Sequence, residues 1–195
     1  MAYLLSGCFH WIGYHLTEAL LNEGETVIGV DSDWNEQKEW LSLYVGRNAS
    51  FHLLDSVGDV KDSMLDEDLV VVHIGGEKEI KDPKIPITFE WIIEVGKKNH
   101  EEHPVLYAKE VYGPWMPHPV KPTSAEALYV DDFIRGILEV IEQGEKKDFV
   151  EILPSSQGGS GGQGASWFVE ETMNQKEGWQ RVLTHQEQFP NYYKL

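Results

Sequence analysis

The chain has 195 residues, of which 41% are hydrophobic and 25% are charged, values typical of a globular protein with one packed core. Its 33 acidic and 16 basic residues give a net charge of −17, which repels a phosphate backbone and argues against nucleic-acid binding. The longest apolar stretches, such as residues 69–74, are far shorter than the roughly 20 residues of a membrane helix, so membrane insertion is not expected.

The first 30 residues predict a strand–helix–strand unit. Residues 3–5 form a short apolar run, Gly7 marks a turn, and apolar side chains recur at helical spacing over residues 12–22. Gly24 is typical of a helix end, and the β-branched run over 26–30 predicts a second strand. We therefore expect a right-handed βαβ unit.

Strands and helices continue to alternate up to residue 154. The patterns predict helices over residues 36–45, 87–98 and 130–143, and strands over residues 50–54, 69–74, 105–111 and 149–153. Such alternation indicates an α/β fold with a doubly wound, mostly parallel sheet over residues 1–154.

The composition changes after residue 154. Residues 155–164 are only Ser, Gln and Gly, which is typical of a flexible coil, and we interpret 155–166 as a linker, engineered or natural. Residues 167–195 are too short to form a core but rich in aromatic side chains, so we predict that they dock on the preceding domain as a peptide segment. The residues expected to make this contact are Trp167, Phe168, Trp179, Val182, Leu183, Phe189, Tyr192 and Tyr193.

Several short segments carry a resemblance to a known family. Leu4-Leu5-Ser6-Gly7-Cys8-Phe9-His10-Trp11-Ile12-Gly13, followed by Val27-Ile28-Gly29-Val30-Asp31, resembles the opening of the extended short-chain dehydrogenases/reductases, the NAD(P)-dependent epimerases and dehydratases of nucleotide sugars. Segments similar to later parts of that family follow in the same order, at Leu54-Asp55 and at residues 71–76, 111–115 and 129–132. The resemblance implies a Rossmann-like sheet, reduced in size.

The resemblance also implies a vestigial cofactor site. In the family, three glycines spaced Gly-x-x-Gly-x-x-Gly let the dinucleotide pyrophosphate approach backbone amides at a helix N-terminus. Gly7 and Gly13 match the outer glycines, but His10 stands at the middle position, where it would obstruct the phosphates or donate a hydrogen bond to one. Asp31 would hold the adenosine ribose, or is an ordinary strand-end carboxylate, and Asp55 would lie on the adenine side. We expect no cofactor, with NAD as the alternative.

The family's catalytic pair is missing. It consists of Tyr-x-x-x-Lys, and none of the eight tyrosines here has lysine four residues later. The chain between Gly76 and Tyr112 is also too short for the family's usual strand, catalytic helix and next strand. Residues 105–113 match either the strand of the catalytic serine or threonine, with Lys109 and Glu110 in place of hydroxyl residues, or the strand after a deleted catalytic helix. In both alignments the pair is absent, so we expect no catalytic residues and no oxidoreductase or epimerase activity.

Other polar clusters have simpler interpretations. His100 and His103 flank two glutamates, but nothing fixes four convergent ligands, so no metal site is predicted. Asp131 and Asp132 open a predicted helix and are expected to cap it. The single cysteine, Cys8, cannot form an internal disulfide, and no signal peptide is recognisable, so we expect a cytoplasmic protein.

Three hypotheses on function follow. The first is a non-catalytic scaffold that binds another protein, the source of residues 167–195. The second is an enzyme or sensor that binds NAD(P) or a nucleotide sugar through unrecognised residues. The third is a natural single chain whose tail folds back as a structural or autoinhibitory arm. Association into an oligomer is compatible with each of them.

Overall fold

The computed structural model describes residues 1–32, 34–60, 69–75, 91–96, 104–144, 147–158, 161–163 and 165–194. The chain divides into two compact units, Met1–Ile93 and Glu94–Leu195. This division differs from the predicted domain boundary at residue 154. None of the helices in the described ranges is long and apolar enough to cross a membrane.

The first unit is a parallel sheet with helices between its strands. Its elements are β1 (Ala2–Ser6), α1 (Trp11–Asn22), β2 (Thr26–Val30), α2 (Glu36–Val45), β3 (Phe51–Leu54), a 3-10 turn (Val57–Asp59), β4 (Leu69–Ile74) and β5 (Trp91–Val95), which ends in the second unit. The strands pair in the order β5–β4–β1–β2–β3. The chain therefore winds in opposite directions on the two sides of β1, which is where open α/β sheets bind ligands.

The predicted helix over residues 87–98 is wrong where it can be compared with the structure. Residues 91–95 form β5, which pairs in parallel with β4. Trp91, Ile92 and Ile93 are all at most 2% exposed, because both faces of this strand are buried. A strand buried on both faces needs no alternation of apolar and polar residues. Its continuous apolar run also fits the spacing of a helix, so the pattern did not distinguish the two. Residues 87–90 and 97–98 lie outside the described ranges.

The second unit has its own strands and helices. They are β6 (Val105–Ala108), β7 (Val111–Tyr112), β8 (Leu128–Tyr129), α3 (Val130–Glu142), β9 (Phe149–Pro154), a 3-10 turn (Ser155–Gln157), β10 (Gly161–Gln163), β11 (Ser166–Val169), α4 (Gln175–Gln188) and a 3-10 turn (Tyr192–Lys194). β6, β9 and β11 are neighbours in parallel, β10 pairs antiparallel with β11, and β7 pairs with β8. The strand predicted over 105–111 is thus divided between β6 and β7.

The glycine-rich segment has a different structure from the flexible linker predicted over residues 155–166. Its described residues form the 3-10 turn after β9 and the strand β10. A Cβ atom at Gly158 would lie 2.5 Å from the ring of Phe168, and one at Gly162 would lie 2.9 Å from the ring of Trp167. At these two positions glycine leaves room for the aromatic side chains of β11, so the composition reflects close packing.

The segment predicted to dock as a separate peptide contributes an internal strand of this sheet. β11 lies between β9 and β10, and its Trp167 and Val169 are buried. The indole Nε1 of Trp167 donates to Oε2 of Glu139 on α3, at 2.8 Å. Main-chain pairing, burial and a hydrogen bond to α3 therefore all hold the beginning of the tail.

Replacing Trp167 by alanine is expected to destabilise the protein by about 3–5 kcal/mol, because a buried aromatic side chain is lost from the middle of a sheet. The matched control is Trp34→Ala, since Trp34 is 46% exposed. That change should cost about 1 kcal/mol or less. Urea denaturation followed by far-UV circular dichroism measures both, and equal losses would contradict the packing described for β11.

Candidate functional site

The turn between β1 and α1 keeps its two outer glycines for structural reasons. Gly7 has a φ of +82°, and a Cβ atom there would lie 2.1 Å from the carbonyl oxygen of Ile74. A Cβ atom at Gly13 would lie 2.1 Å from the carbonyl oxygen of Gly7. Any larger residue would force the turn away from β4 or from the first turn of α1. The glycine spacing is therefore required by this backbone, with or without a ligand.

Asp31, at the end of β2, is bound inside the protein. Its side chain is fully buried. Oδ2 accepts a hydrogen bond from the amide of Phe9 at 2.6 Å, and Oδ1 accepts one from Nζ of Lys38 at 2.5 Å. Lys38 also donates to the carbonyl oxygen of Ser32. Both carboxylate oxygens thus already have partners, and the fully buried side chain exposes no surface to a ribose in this arrangement.

His10 stands at the N-terminus of α1, at the middle position of the turn. Its side chain makes no capping hydrogen bond, and Nδ1 is buried with no hydrogen-bond partner among the described residues. Burial lowers the pKa of His10 to about 4, and the nearby charges of Lys38 and His73 act in the same direction. His10 is therefore a neutral imidazole at pH 7.

Two further residues reach the same end of the sheet and were not singled out from the sequence. Ser6 ends β1 and pairs in register with His73 of β4. Nδ1 of His73 lies 3.1 Å from Oγ of Ser6, and both side chains are buried. Lys38 was also missed. The signal available in the sequence was positional: polar residues at the carboxyl ends of neighbouring parallel strands meet at one edge.

The other predicted polar sites have different surroundings. Asp55 follows β3, the outermost strand of the first unit in the described pairing, and is exposed. His100 and His103 lie outside the described ranges, and the described residues contain no group of three metal-binding side chains. Burial raises the pKa of the Cys8 thiol, which favours its uncharged form beneath the turn.

Asp132 connects α3 to the tail and does not cap its own helix. Its carboxylate accepts hydrogen bonds from the amide of Thr172 at 3.1 and 3.3 Å, and it pairs with Arg135 at 3.1 Å. Arg135 also donates to the carbonyl oxygen of Glu170. Burial raises the pKa of Asp132, while the hydrogen bonds from Thr172 oppose this shift. The sequence predicted that Asp132 would cap α3, whereas its hydrogen bonds go to the backbone that follows β11.

Trp115 is the centre of an aromatic cluster in the second unit. Its φ of 62° is rare for a bulky residue. Two tail tyrosines bind its backbone: the amide donates to the Tyr193 hydroxyl at 2.9 Å, and the Tyr192 hydroxyl donates to the carbonyl at 2.6 Å. Its ring lies 4.2 Å from that of His185 and 4.9 Å from that of Phe189. The tail therefore stabilises a backbone conformation that is unfavourable alone.

A chain of hydrogen bonds joins Trp115 to His185 through Tyr193. The Tyr193 hydroxyl accepts from the Trp115 amide at 2.9 Å and lies 2.8 Å from Nδ1 of His185. Burial raises the pKa of Tyr193 to about 12, so the hydroxyl keeps its proton at pH 7.

The eight residues predicted to bind a partner are buried or partly buried. Trp167, Val182 and Tyr192 are buried in the second unit. The remaining five are partly buried, namely Phe168, Trp179, Leu183, Phe189 and Tyr193.

Comparison with known proteins identifies the fold and nothing finer. No family model matches the sequence, and no curated protein matches it. Among solved structures, the yeast methylglyoxal/isovaleraldehyde reductase in complex with NADPH aligns over 98% of this chain and 100% of its own, with 13% identity and a TM-score of 0.59. The dTDP-glucose 4,6-dehydratase of Bacillus anthracis in complex with NAD aligns over 100% and 99%, with 10% identity and a TM-score of 0.61.

A third similar structure is the UDP-glucose 4-epimerase of Thermotoga maritima with UDP-glucose. It aligns over 97% of this chain and 100% of its own, with 15% identity and a TM-score of 0.53. The chain therefore has a Rossmann-like fold of the extended short-chain dehydrogenase/reductase type, as the resemblance implied.

That fold implies a dinucleotide, but the residues at the turn do not fit one as they are arranged. The carboxylate that would bind the ribose is neutralised by Lys38 and bound to the amide of Phe9. The position that would be glycine beside the phosphates carries the His10 side chain. In the turn before α1, the amide of Phe9 is already bound to Asp31.

His10→Gly is expected to reduce the acid sensitivity of the protein. The folded-state pKa of about 4 lies below the ordinary 6.5, so the unfolded chain is protonated first as the pH falls. The stability contributed by neutral His10 is complete above pH 6.5 and is lost as the pH falls through about 4. Over that range the unmodified chain should lose about 1–3 kcal/mol more than the variant. Urea denaturation at several pH values tests this, and parallel pH profiles would contradict it.

Proposed function

We propose that the chain is a non-catalytic protein-binding protein, built on an epimerase-type fold whose cofactor turn has become a structural element. The observation that carries the proposal is the internal use of Asp31. Separating a buried carboxylate from its ammonium and backbone-amide partners costs free energy, because the carboxylate would then be unpaired in a region that excludes water. A dinucleotide would have to compensate for that loss before it gained any contact of its own.

The sequence supports the same conclusion for catalysis. The enzymes of the family that the sequence resembles use a tyrosine–lysine pair for catalysis, and this chain has no tyrosine followed four residues later by lysine. Fold alone does not determine function, so the loss of these side chains outweighs the likeness to NADPH- and NAD-bound enzymes.

The surface that holds residues 166–194 supports a protein as the ligand. It offers the edge of β9, the carboxylate of Asp132 for a main-chain amide, and the backbone of Trp115 for two tyrosine hydroxyls. Strand addition gives affinity through main-chain hydrogen bonds, and aromatic anchors give specificity. We propose that the ligand is a strand–helix segment of this chemistry from a partner protein. In this chain the tail occupies the surface.

A second candidate function is a nucleotide-binding enzyme or sensor. It is favoured by the ligands present in the similar structures and by the buried Nδ1 of His10, which has no hydrogen-bond partner in the described part of the chain. In this alternative His10 would bind a phosphate oxygen of NAD(P) or of a nucleotide sugar.

Calorimetric titration with NAD(H) and NADP(H) separates the two candidates. We expect no binding tighter than about 1 mM by the unmodified chain. The double variant His10→Gly, Lys38→Ala should bind at least about tenfold better, because it opens the turn and releases the carboxylate of Asp31. Lys176→Ala, an exposed change on α4, is the control. Micromolar affinity in the unmodified chain would contradict the proposal and favour the second candidate.

The peptide-binding surface is tested by loosening the tail. Phe189→Ala removes a ring that packs on Trp115, and limited proteolysis after β11 should accelerate about tenfold or more, since local opening becomes less costly. A labelled peptide of residues 166–194 should then bind the variant and not the unmodified chain, whose own tail competes. Leu43→Ala, an exposed change in α2, should have neither effect. A loosened tail without peptide binding at about 100 μM would contradict the proposed surface.

A further inference from the structure

The helix α2 has an apolar stripe on its exposed side. Leu41 and Val45 face the core and are at most 5% exposed, whereas Trp40, Leu43 and Tyr44 are 36%, 74% and 45% exposed. We call these last three residues the α2 stripe. Single exposed apolar residues are common, but three on neighbouring turns of one helix form a contiguous patch, and such patches mark interaction sites.

The ends of the α2 stripe carry opposite charges. Glu36 and Glu39 are exposed in the first turn of the helix, and Arg47 is exposed just after its end. Lys38, the basic residue within α2, faces inward to Asp31 and does not alter this distribution. Spacing of three and four residues places these charges on the same side as the stripe.

The sequence of this face is self-complementary about a single point. If two copies of α2 lie antiparallel, with a two-fold axis between positions 41 and 42, Glu36 of one copy lies opposite Arg47 of the other. The same axis places Trp40 opposite Leu43, while Glu39 and Tyr44 flank this central strip on opposite sides of the helix. One rotation therefore pairs both opposite charges and apolar side chains. That is the condition for an isologous contact between identical chains.

We propose that two copies of this chain associate through their α2 helices in this antiparallel arrangement. The charge distribution identifies the occupant as a second copy, because a different partner would require no internal symmetry of the helix face. The net charge of −17 opposes association at long range, but at physiological ionic strength charges beyond about 8 Å are largely screened. The contacts across α2 then decide the outcome.

Sedimentation velocity of the full chain from about 5 to about 500 μM, at about 0.15 M salt, should show a reversible dimer. Leu43→Asp should weaken the dimer at least about tenfold, because it introduces two carboxylates at the centre of the apolar contact. The control is Val120→Asp, since Val120 is 68% exposed but lies in the second unit. A chain that stays monomeric throughout, or a dimer that Leu43→Asp leaves unchanged, would overturn the proposal.

The charge pairs provide a test of the orientation. Glu36→Arg and Arg47→Glu should each weaken self-association about fivefold or more, because like charges then meet across the axis. An equimolar mixture of the two variants should regain dimerisation, as a chain basic at both ends meets one acidic at both ends. Far-UV circular dichroism checks that each variant is folded. A mixture that associates no better than either variant alone would overturn the antiparallel arrangement.

Discussion

A carboxylate removed from water must be paired, and the pairing of Asp31 organises the first unit. Its two oxygens bind the amide of Phe9 in the turn and the ammonium of Lys38 on α2, so one side chain joins β2, the turn and the second helix. The turn and α2 are thereby both held to the end of β2. The same contact draws Lys38 inward, and so the exposed side of α2 is left with the apolar stripe and its terminal charges.

In the second unit, the contacts between Trp115 and the tail have a comparable role. Trp115 adopts a left-handed backbone conformation that its own side chain disfavours, and the hydroxyls of Tyr192 and Tyr193 bind both of its backbone polar groups. The rings of His185 and Phe189 cover the indole. Loop and tail therefore stabilise each other, which accounts for the concentration of aromatic residues near the end of the chain.

The fold and the chemistry of this protein are separate matters. The chain aligns over nearly its whole length with a reductase, a dehydratase and an epimerase at 10–15% identity, which shows a shared fold, whereas Asp31 at the end of β2 is bound within the chain to Lys38. A Rossmann-like sheet offers a binding edge wherever its winding direction changes, but the residues at that edge decide what can bind there. Here Ser6, His10 and His73 occupy that edge with buried or partly buried polar groups.

The sequence by itself determined the elements whose signals are local. The helix over residues 36–45 and the strands over 26–30 and 69–74 have the predicted bounds, because amphipathic spacing and β-branched runs act within a few residues. The order of these elements, with the glycine turn, was sufficient to predict the Rossmann-like sheet. The glycines of the turn could be placed because their backbone requirement is also local.

Tertiary structure decided whatever depends on residues that are distant in sequence. β5 is a strand because it pairs with β4 and is covered on both faces, although its apolar pattern also suits a helix. Gly158 and Gly162 lie so close to the aromatic rings of Phe168 and Trp167 that a side chain would not fit, and Asp31 is bound by groups 22 and 7 residues away in the sequence. Burial and pairing across the fold are absent from any local pattern, and for this reason the role of each of these residues became clear only in the folded chain.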